Sequence, residues 1–361
     1  MDNKMEKRYG LPTAISMVIG IVIGSGVFIK GGKVLSLTGG NLLQGIAVVG
    51  IVGLICIICS LVFATLGSKY EKVNGVVDYA ELALGPKYAY YVGWFMTTIY
   101  TPALAAMLAF FSSMMFLQLF GIAAIDFATG QVNPTAIGVG AGFLMLGYGV
   151  NALSPKIAGK LQVGMTVIKL IPLILMGIVG TIVYVFITIS CLGTMNGLIM
   201  ASCRNMYSIS IRGMGPRPEF FGHVDTQNNF AIKSSVLGMM LAGFWYAWTV
   251  MMWMGGPGLF GSVHGSEWFA WEPDEIGIIC LYLMYIPMMI GLMAKAKDLN
   301  PVKRFVLPAL GVLCCLFFCY AIWVGYGWKQ CTGFLIFFAV VMFIGWLLER
   351  CRVKKAAGQK T

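Results

Sequence analysis

Charge is what this chain has least of. Asp, Glu, Lys and Arg make up 11% of its 361 residues, against about 25% in an ordinary soluble domain. Apolar residues reach 59%, above the usual roughly 45–50%, and the mean hydropathy is +0.84. So few charges could not cover a water-soluble fold of this size. That excludes a soluble enzyme, a disordered chain and a disulfide scaffold, and leaves an all-α integral membrane protein with many spans. Histidine is scarcer still. His223 and His264 are the only two, too few imidazoles for a zinc site. Acidic residues number 14, and they form neither a ring nor a cluster with histidine inside the apolar runs. A channel or a membrane enzyme is therefore disfavoured, and no metal, cofactor or covalent chemistry is expected.

The net charge of +11 does not mark a nucleic-acid binder. The basic residues lie between apolar runs rather than pooled in a patch, and in a membrane protein that pattern reads as topology. The 10 cysteines are mostly within apolar runs (Cys56, Cys59, Cys191, Cys280, Cys314, Cys315 and Cys319), where they read as packing residues. Cys56 and Cys59 form a C-x-x-C, but on an apolar helix without a nearby histidine.

Long apolar runs cover residues 11–36, 42–68, 88–120, 134–153, 161–211, 232–255, 275–294, 305–328 and 331–348. A bilayer core needs about 20 residues per helix. The first run is too long for a cleavable leader and has no small-residue cleavage site after it. The run 161–211 would reach about 75 Å as one helix, more than twice the bilayer core. Lys156 and Lys160 precede it, and Arg204, Arg212 and Arg217 end or follow it. Both ends belong on the positive side, so the segment crosses an even number of times. Two helices with a tight turn near Gly177, Gly180 and Thr181 give about ten spans in all. Of the 25 Lys and Arg, only Lys30, Lys33 and Lys329 then fall outside, and Lys169 falls within a span. The acidic links at Asp126, Glu267, Glu272, Asp274 and Glu275 also lie outside, and both termini are cytoplasmic. Trp268 and Trp271 beside that acidic link read as interface anchors.

Two features carry chemistry. The first span contains Gly20-Ile-Val-Ile-Gly24-Ser25-Gly26-Val27-Phe28. Glycines around a serine in mid-span weaken the helix, by up to about 1 kcal/mol each, and let backbone approach a ligand. A helix broken there would offer N–H groups to a carboxylate and carbonyls to an ammonium group. The alternative is close helix packing through the small-xxx-small pair Gly20 and Gly24, and spacing alone does not separate the two. A nucleotide-binding loop is excluded because no strand precedes it. The second feature is Lys169, the only ionisable residue deep in a span. Nine residues beyond Lys160, it sits about 14 Å into the membrane. Such residues are functional by default, the alternative being a structural polar contact. Ser190, Thr194, Asn196 and Ser202 suit interhelical hydrogen bonds, with substrate lining as a second role. Tyr100, Thr101 and Pro102 fall in mid-span, and Pro102 is expected to kink its helix.

Gly-Ile-Val-Ile-Gly-Ser-Gly-Val-Phe (20–28), Gly-Lys-Leu-Gln (159–162) running into Ile-Lys-Leu-Ile-Pro (168–172), and Ile-Ser-Cys-Leu-Gly-Thr-Met-Asn-Gly (189–197) resemble amino acid permeases of the amino acid–polyamine–organocation superfamily. The group most alike is the L-type exchangers and the bacterial serine/threonine exchangers. The resemblance implies a LeuT-like fold of twelve helices, the first ten forming two inverted repeats of five. It implies a secondary transporter of amino acids in the plasma (inner) membrane, either a sodium-independent exchanger or a proton-linked permease, working by alternating access. Ile23, Gly24, Ser25 and Gly26, with Val27 adjoining, would hold the amino acid's carboxylate and amino groups. Lys169 matches the fifth-helix lysine that replaces a sodium ion and bridges to helix 1. Tyr100, Ser190, Thr194 and Asn196 are secondary lining candidates.

One departure is large. Residues 183–211 match the family's eighth helix directly after its fifth, so the sixth and seventh have no counterpart. The resulting division is 11–181 as a first five-helix repeat, 182–294 as an incomplete second repeat, 305–348 as the last two helices, and 349–361 as a basic cytoplasmic tail, all in one transporter domain. A transport-inactive deletion form or a truncated gene product is the alternative function. The expected partners are an amino acid and the lipid bilayer, not nucleic acid. Self-association through Gly325, Gly327, Gly333 and Gly345 is weakly signalled.

Overall fold

The chain's apolar runs become helices because lipid offers backbone N–H and C=O groups no partners, and a helix satisfies them internally. The computed structural model describes residues 10–22, 24, 31, 34–36, 38–69, 75–126, 131–175, 180–225, 230–253, 268 and 273–358. In chain order the helices are α1 (Leu11–Val22), α2 (Leu42–Lys69), α3 (Gly75–Leu84), α4 (Pro86–Phe95), a π-helical turn (Met96–Tyr100), α5 (Thr101–Gln118), α6 (Pro134–Leu153), α7 (Pro155–Leu175), α8 (Gly180–Ser210), the short α9 (Pro218–Phe221), α10 (Ile232–Trp253), α11 (Pro273–Lys295), a second π turn (Val302–Val306), α12 (Leu307–Tyr326) and α13 (Trp328–Gly358). A two-residue hairpin, Ile125–Asp126 against Gln131–Val132, pairs antiparallel in the link between α5 and α6.

Eight helices among the described residues are long and apolar enough to cross a membrane. The first apolar run and the front of the long run contain α1 and α7, which border undescribed residues. Within 161–211, α7 and α8 lie on either side of residues 176–179. The last helix runs on to Gly358, through most of the stretch expected as a tail. On α2 the surface is apolar and open: Leu43 is 79% exposed, Ile46 60% and Leu54 59%. A patch of that kind is incompatible with water and suits acyl chains. None of the 10 cysteines forms a disulfide.

The described residues fall into two units. One is bounded by Met1–Phe28, Met96–Tyr207 and Glu219–Asp274, the other by Ile29–Phe95, Ser208–Pro218 and Glu275–Thr361. In the first unit α1 packs on α7, and α5 packs on both α6 and α10. Ser154 separates α6 from α7. Its backbone is extended, as the residue before a proline prefers, and its Oγ accepts the Ile157 N–H at 3.4 Å. Tyr148 on α6 ties in α10 by donating to the Gly238 carbonyl (3.0 Å), and its hydroxyl lies 2.9 Å from Ser202 Oγ on α8.

In the second unit α2 packs on α12, and α3 and α13 pack on α4. Gly85 separates α3 from α4 with φ +92°, a conformation that only glycine adopts without strain. Arg212 is nearly buried against Asp78 and Glu81 of α3, with Nε 3.0 Å from Glu81 Oε2, and it donates to the Ser208 carbonyl at 2.6 Å. Sequence reading used Arg212 only as a topology marker. In the structure its charge is consumed by a buried ion cluster.

Candidate functional site

The site is built from three helices of the first unit. α1 ends at Val22, and Gly24 lies outside any helix. The helical partner of the Gly20 carbonyl would be the N–H of Gly24, which is not helical. On α7, Gln162, Thr166 and Lys169 follow a 4-then-3 spacing, which puts them on one face, and that face meets α1. Thr166 Oγ1 donates to the Ser16 carbonyl at 3.0 Å. Lys169, 0% exposed, donates its Nζ to the Gly20 carbonyl. From α8, Thr194 Oγ1 lies 3.2 Å from the same oxygen.

Two glycines make this approach feasible. A Cβ on Gly20 would overlap Gln162 Nε2 and sit 2.7 Å from Thr166 Oγ1. A Cβ on Gly193 would lie 3.3 Å from Met165 Cβ and 3.7 Å from Lys169 Nζ. The absence of both side chains lets α1, α7 and α8 close around the ammonium group.

One turn from this contact a buried amide chain crosses three helices. Asn151 Nδ2 on α6 donates to Asn196 Oδ1 (2.8 Å), and Asn196 Nδ2 donates to Gln162 Oε1 (2.9 Å). Two buried polar atoms here have no hydrogen-bond partner: Gln162 Nε2, beside the Gly20 backbone, and Ser190 Oγ on α8. A bare buried donor costs about 1–3 kcal/mol, so the cluster retains unused hydrogen-bonding capacity beside the end of α1.

Of the residues singled out in the sequence, the structure gathers Lys169 and Thr194 on Gly20, with Ser190 and Asn196 on the same helix as Thr194. Gly24 is half-buried and non-helical. Ile23, Ser25, Gly26 and Val27 lie outside the described residues, as does Trp271. Tyr100 closes the π turn that begins at Met96. That turn stands where Pro102 was expected to kink the helix. Pro102 has no N–H for the Thr98 carbonyl, and the Trp245 indole donates to that oxygen instead at 2.8 Å. Asn205 Nδ2 reaches the Met96 carbonyl at 3.1 Å. Sequence reasoning does not single out Gln162, Thr166 or Asn151 as site residues, and it places Gly20 in the glycine-split motif, with packing as the alternative, without naming it as a site residue. The 4-then-3 spacing of polar residues on α7 was the available signal.

Lys169 is thus buried against the backbone of the first helix in a polytopic α-helical membrane protein. Residues 9–184 match the family model described as amino acid permease. The chain is 30% identical over 172 residues to the serine/threonine exchanger SteT of Bacillus subtilis, covering 48% of this chain and 37% of that protein. It is 30% identical over 171 residues to the b(0,+)-type amino acid transporter 1 of Oryctolagus cuniculus, covering 46% and 33% respectively. With the human b(0,+)-type amino acid transporter 1 it shares 34% over 100 residues, 27% of this chain and 20% of the relative. The match thus spans about a third of the length of the first two of these curated relatives.

Proposed function

We propose that this chain moves amino acids across the plasma (inner) membrane by sodium-independent exchange, with both termini cytoplasmic. The observation that supports this most is the Lys169 ammonium on the Gly20 carbonyl, joined by Thr194, at the point where α1 ends. A fixed cation in that position does what a bound sodium ion would do: it neutralises the freed carbonyl and ties α7 to α1. Residues 23–27 would then receive the zwitterion, its carboxylate on backbone N–H groups and its ammonium on carbonyls. Gln162 Nε2 and Ser190 Oγ supply spare polar contacts nearby. Exchange rather than proton coupling is favoured by the name of one relative, a serine/threonine exchanger.

Purified protein in proteoliposomes preloaded with serine or threonine should take up the labelled amino acid by counterflow without sodium. Lys169→Ala should lower that rate by at least about tenfold, because an intramembrane cation is costly to keep and is kept for function. Full counterflow in the Lys169→Ala protein removes the lysine's role.

A second reading is a form that does not transport. It is favoured by relatives roughly three times as long as the matched stretch. Sequencing the coding region across codons 178–183 tests it. An insertion of about 80–100 residues, enough for two spans and their links, would restore the missing pair. Counterflow by the 361-residue protein would overturn this second reading.

A further inference from the structure

We propose that a groove between α4 and α13 binds the headgroup of an anionic phospholipid at the leaflet bearing the chain's positive residues. The groove lies wholly within the second unit and does not depend on transport. It encloses about 440 Å³. Lys87 and Tyr91, four residues apart, share one face of α4, while Trp346, Glu349, Arg350 and Lys354 share one face of α13. The two walls are fastened to each other. The Tyr90 hydroxyl donates to the Gly345 carbonyl at 2.7 Å, and the Trp94 indole donates to the Val341 carbonyl at 2.9 Å.

The mouth is cationic. Glu349, its one carboxylate, is already spent: its Oε2 accepts the Gly215 N–H (2.8 Å) and Arg352 Nε (3.0 Å), and its Oε1 accepts Arg352 Nη2 (2.5 Å). Lys87, Arg350 and Lys354 are exposed, and among the described residues none has a carboxylate partner. Three cations around one cleft fit a phosphodiester.

The surroundings select a lipid. Phe343, Trp346, Arg350 and Lys354 descend one face of α13, with the Phe343 and Trp346 rings stacked 5.5 Å apart and Arg350 lying 4.9 Å from the Trp346 ring. Phe343 and the neighbouring Val340 are more than half exposed. An acyl chain would therefore continue along apolar surface directly from the cation rim. Tyr91 and Trp346 are the amphipathic rings that sit at headgroup level, and basic pockets between membrane helices on the positive side hold anionic headgroups.

The test offers the purified full chain, in detergent, an equimolar mixture of phosphatidylglycerol and phosphatidylcholine, and counts retained lipid by native mass spectrometry. Phosphatidylglycerol should be retained preferentially. Each of Lys87→Gln, Arg350→Gln and Lys354→Gln should weaken that retention roughly fivefold, and the three together about a hundredfold, with phosphatidylcholine unaffected. Lys297→Gln with Lys303→Gln, outside the groove, should change nothing. The single exposed-site substitutions keep the test decisive even where the triple variant unfolds. Equal retention of both lipids, or an undiminished preference in the folded single variants, overturns the proposal. Displacement of the lipid by an equal concentration of inorganic phosphate overturns it as well, because the groove would then be a site for free anions.

Discussion

At Gly20 a single missing side chain decides whether three helices can meet. A Cβ there would sit 2.7 Å from Thr166 Oγ1 and overlap the Gln162 amide, and the carbonyl of the same residue receives both Lys169 and Thr194. Gly20→Val should therefore do two things at once. It should push α7 from α1 and strip the buried ammonium of its acceptor, a change that costs about 3–5 kcal/mol when a buried charge loses its partner. The expected result is a large drop in thermal midpoint in detergent, with membrane insertion retained. An unchanged midpoint would show that Lys169 finds another acceptor. Lys169→Ala separates the two effects, because it removes the buried charge along with its need for a carbonyl. Its loss should fall on counterflow more than on stability.

The helix containing Pro102 shows how an element absorbs a local break. A proline in a helix interior forfeits one hydrogen bond and clashes with the carbonyl four residues back. Here the strain is taken up by a π turn at Met96–Tyr100, and the opened carbonyls are claimed from other helices of the same unit, Met96 by Asn205 and Thr98 by Trp245. π turns of this kind recur at functional sites, and Tyr100 is carried on this one. Trp245→Phe keeps most of the ring and removes the indole donor. It should lower the unfolding free energy by about 1 kcal/mol, the net value of a typical hydrogen bond, measured by denaturant titration in micelles. A wild-type value would mean that the indole contributes only bulk. Across α6, α7 and α8 the same economy holds: Asn151, Asn196 and Gln162 satisfy one another, leaving only the Gln162 Nε2 end of that chain unused.

For the molecule as a whole, the distribution of charge sets orientation. The sequence puts basic residues at one end of the expected spans and acidic links at the other, and a bias of that kind would place the basic side in the cytoplasm. Cys351 lies on the exposed surface of α13 among Arg350, Arg352 and Lys354, whereas Cys56, the other exposed cysteine, lies within the apolar α2. A membrane-impermeant maleimide should modify Cys351 in inverted vesicles and spare it in right-side-out vesicles. Labelling from the outside would reverse the topology, and with it the leaflet assigned to the α4–α13 groove.

Membrane residence, the helical class and the placement of most spans follow from the amino-acid sequence by itself. They are consequences of composition and run length: too little charge for water, and about 20 apolar residues for each passage. The basic residues at both ends of 161–211 imply an even number of crossings, and the turn expected near Gly177 lies outside the described residues. Lys169 stood out because one ionisable group in a long apolar run is conspicuous at any conformation. The partner of that lysine was not readable. Gly20 and Lys169 are 149 positions apart, and Thr194 is 174 positions from the same carbonyl. Local periodicity places a side chain on a face but not the face against a neighbour. The Asn151–Asn196–Gln162 chain, the indole on Thr98 and the capture of Arg212 by Asp78 and Glu81 were hidden for the same reason. Each depends on which helices pack together, and that is settled by side-chain volume and hydrogen-bond matching between distant segments, which only the tertiary structure brings into contact.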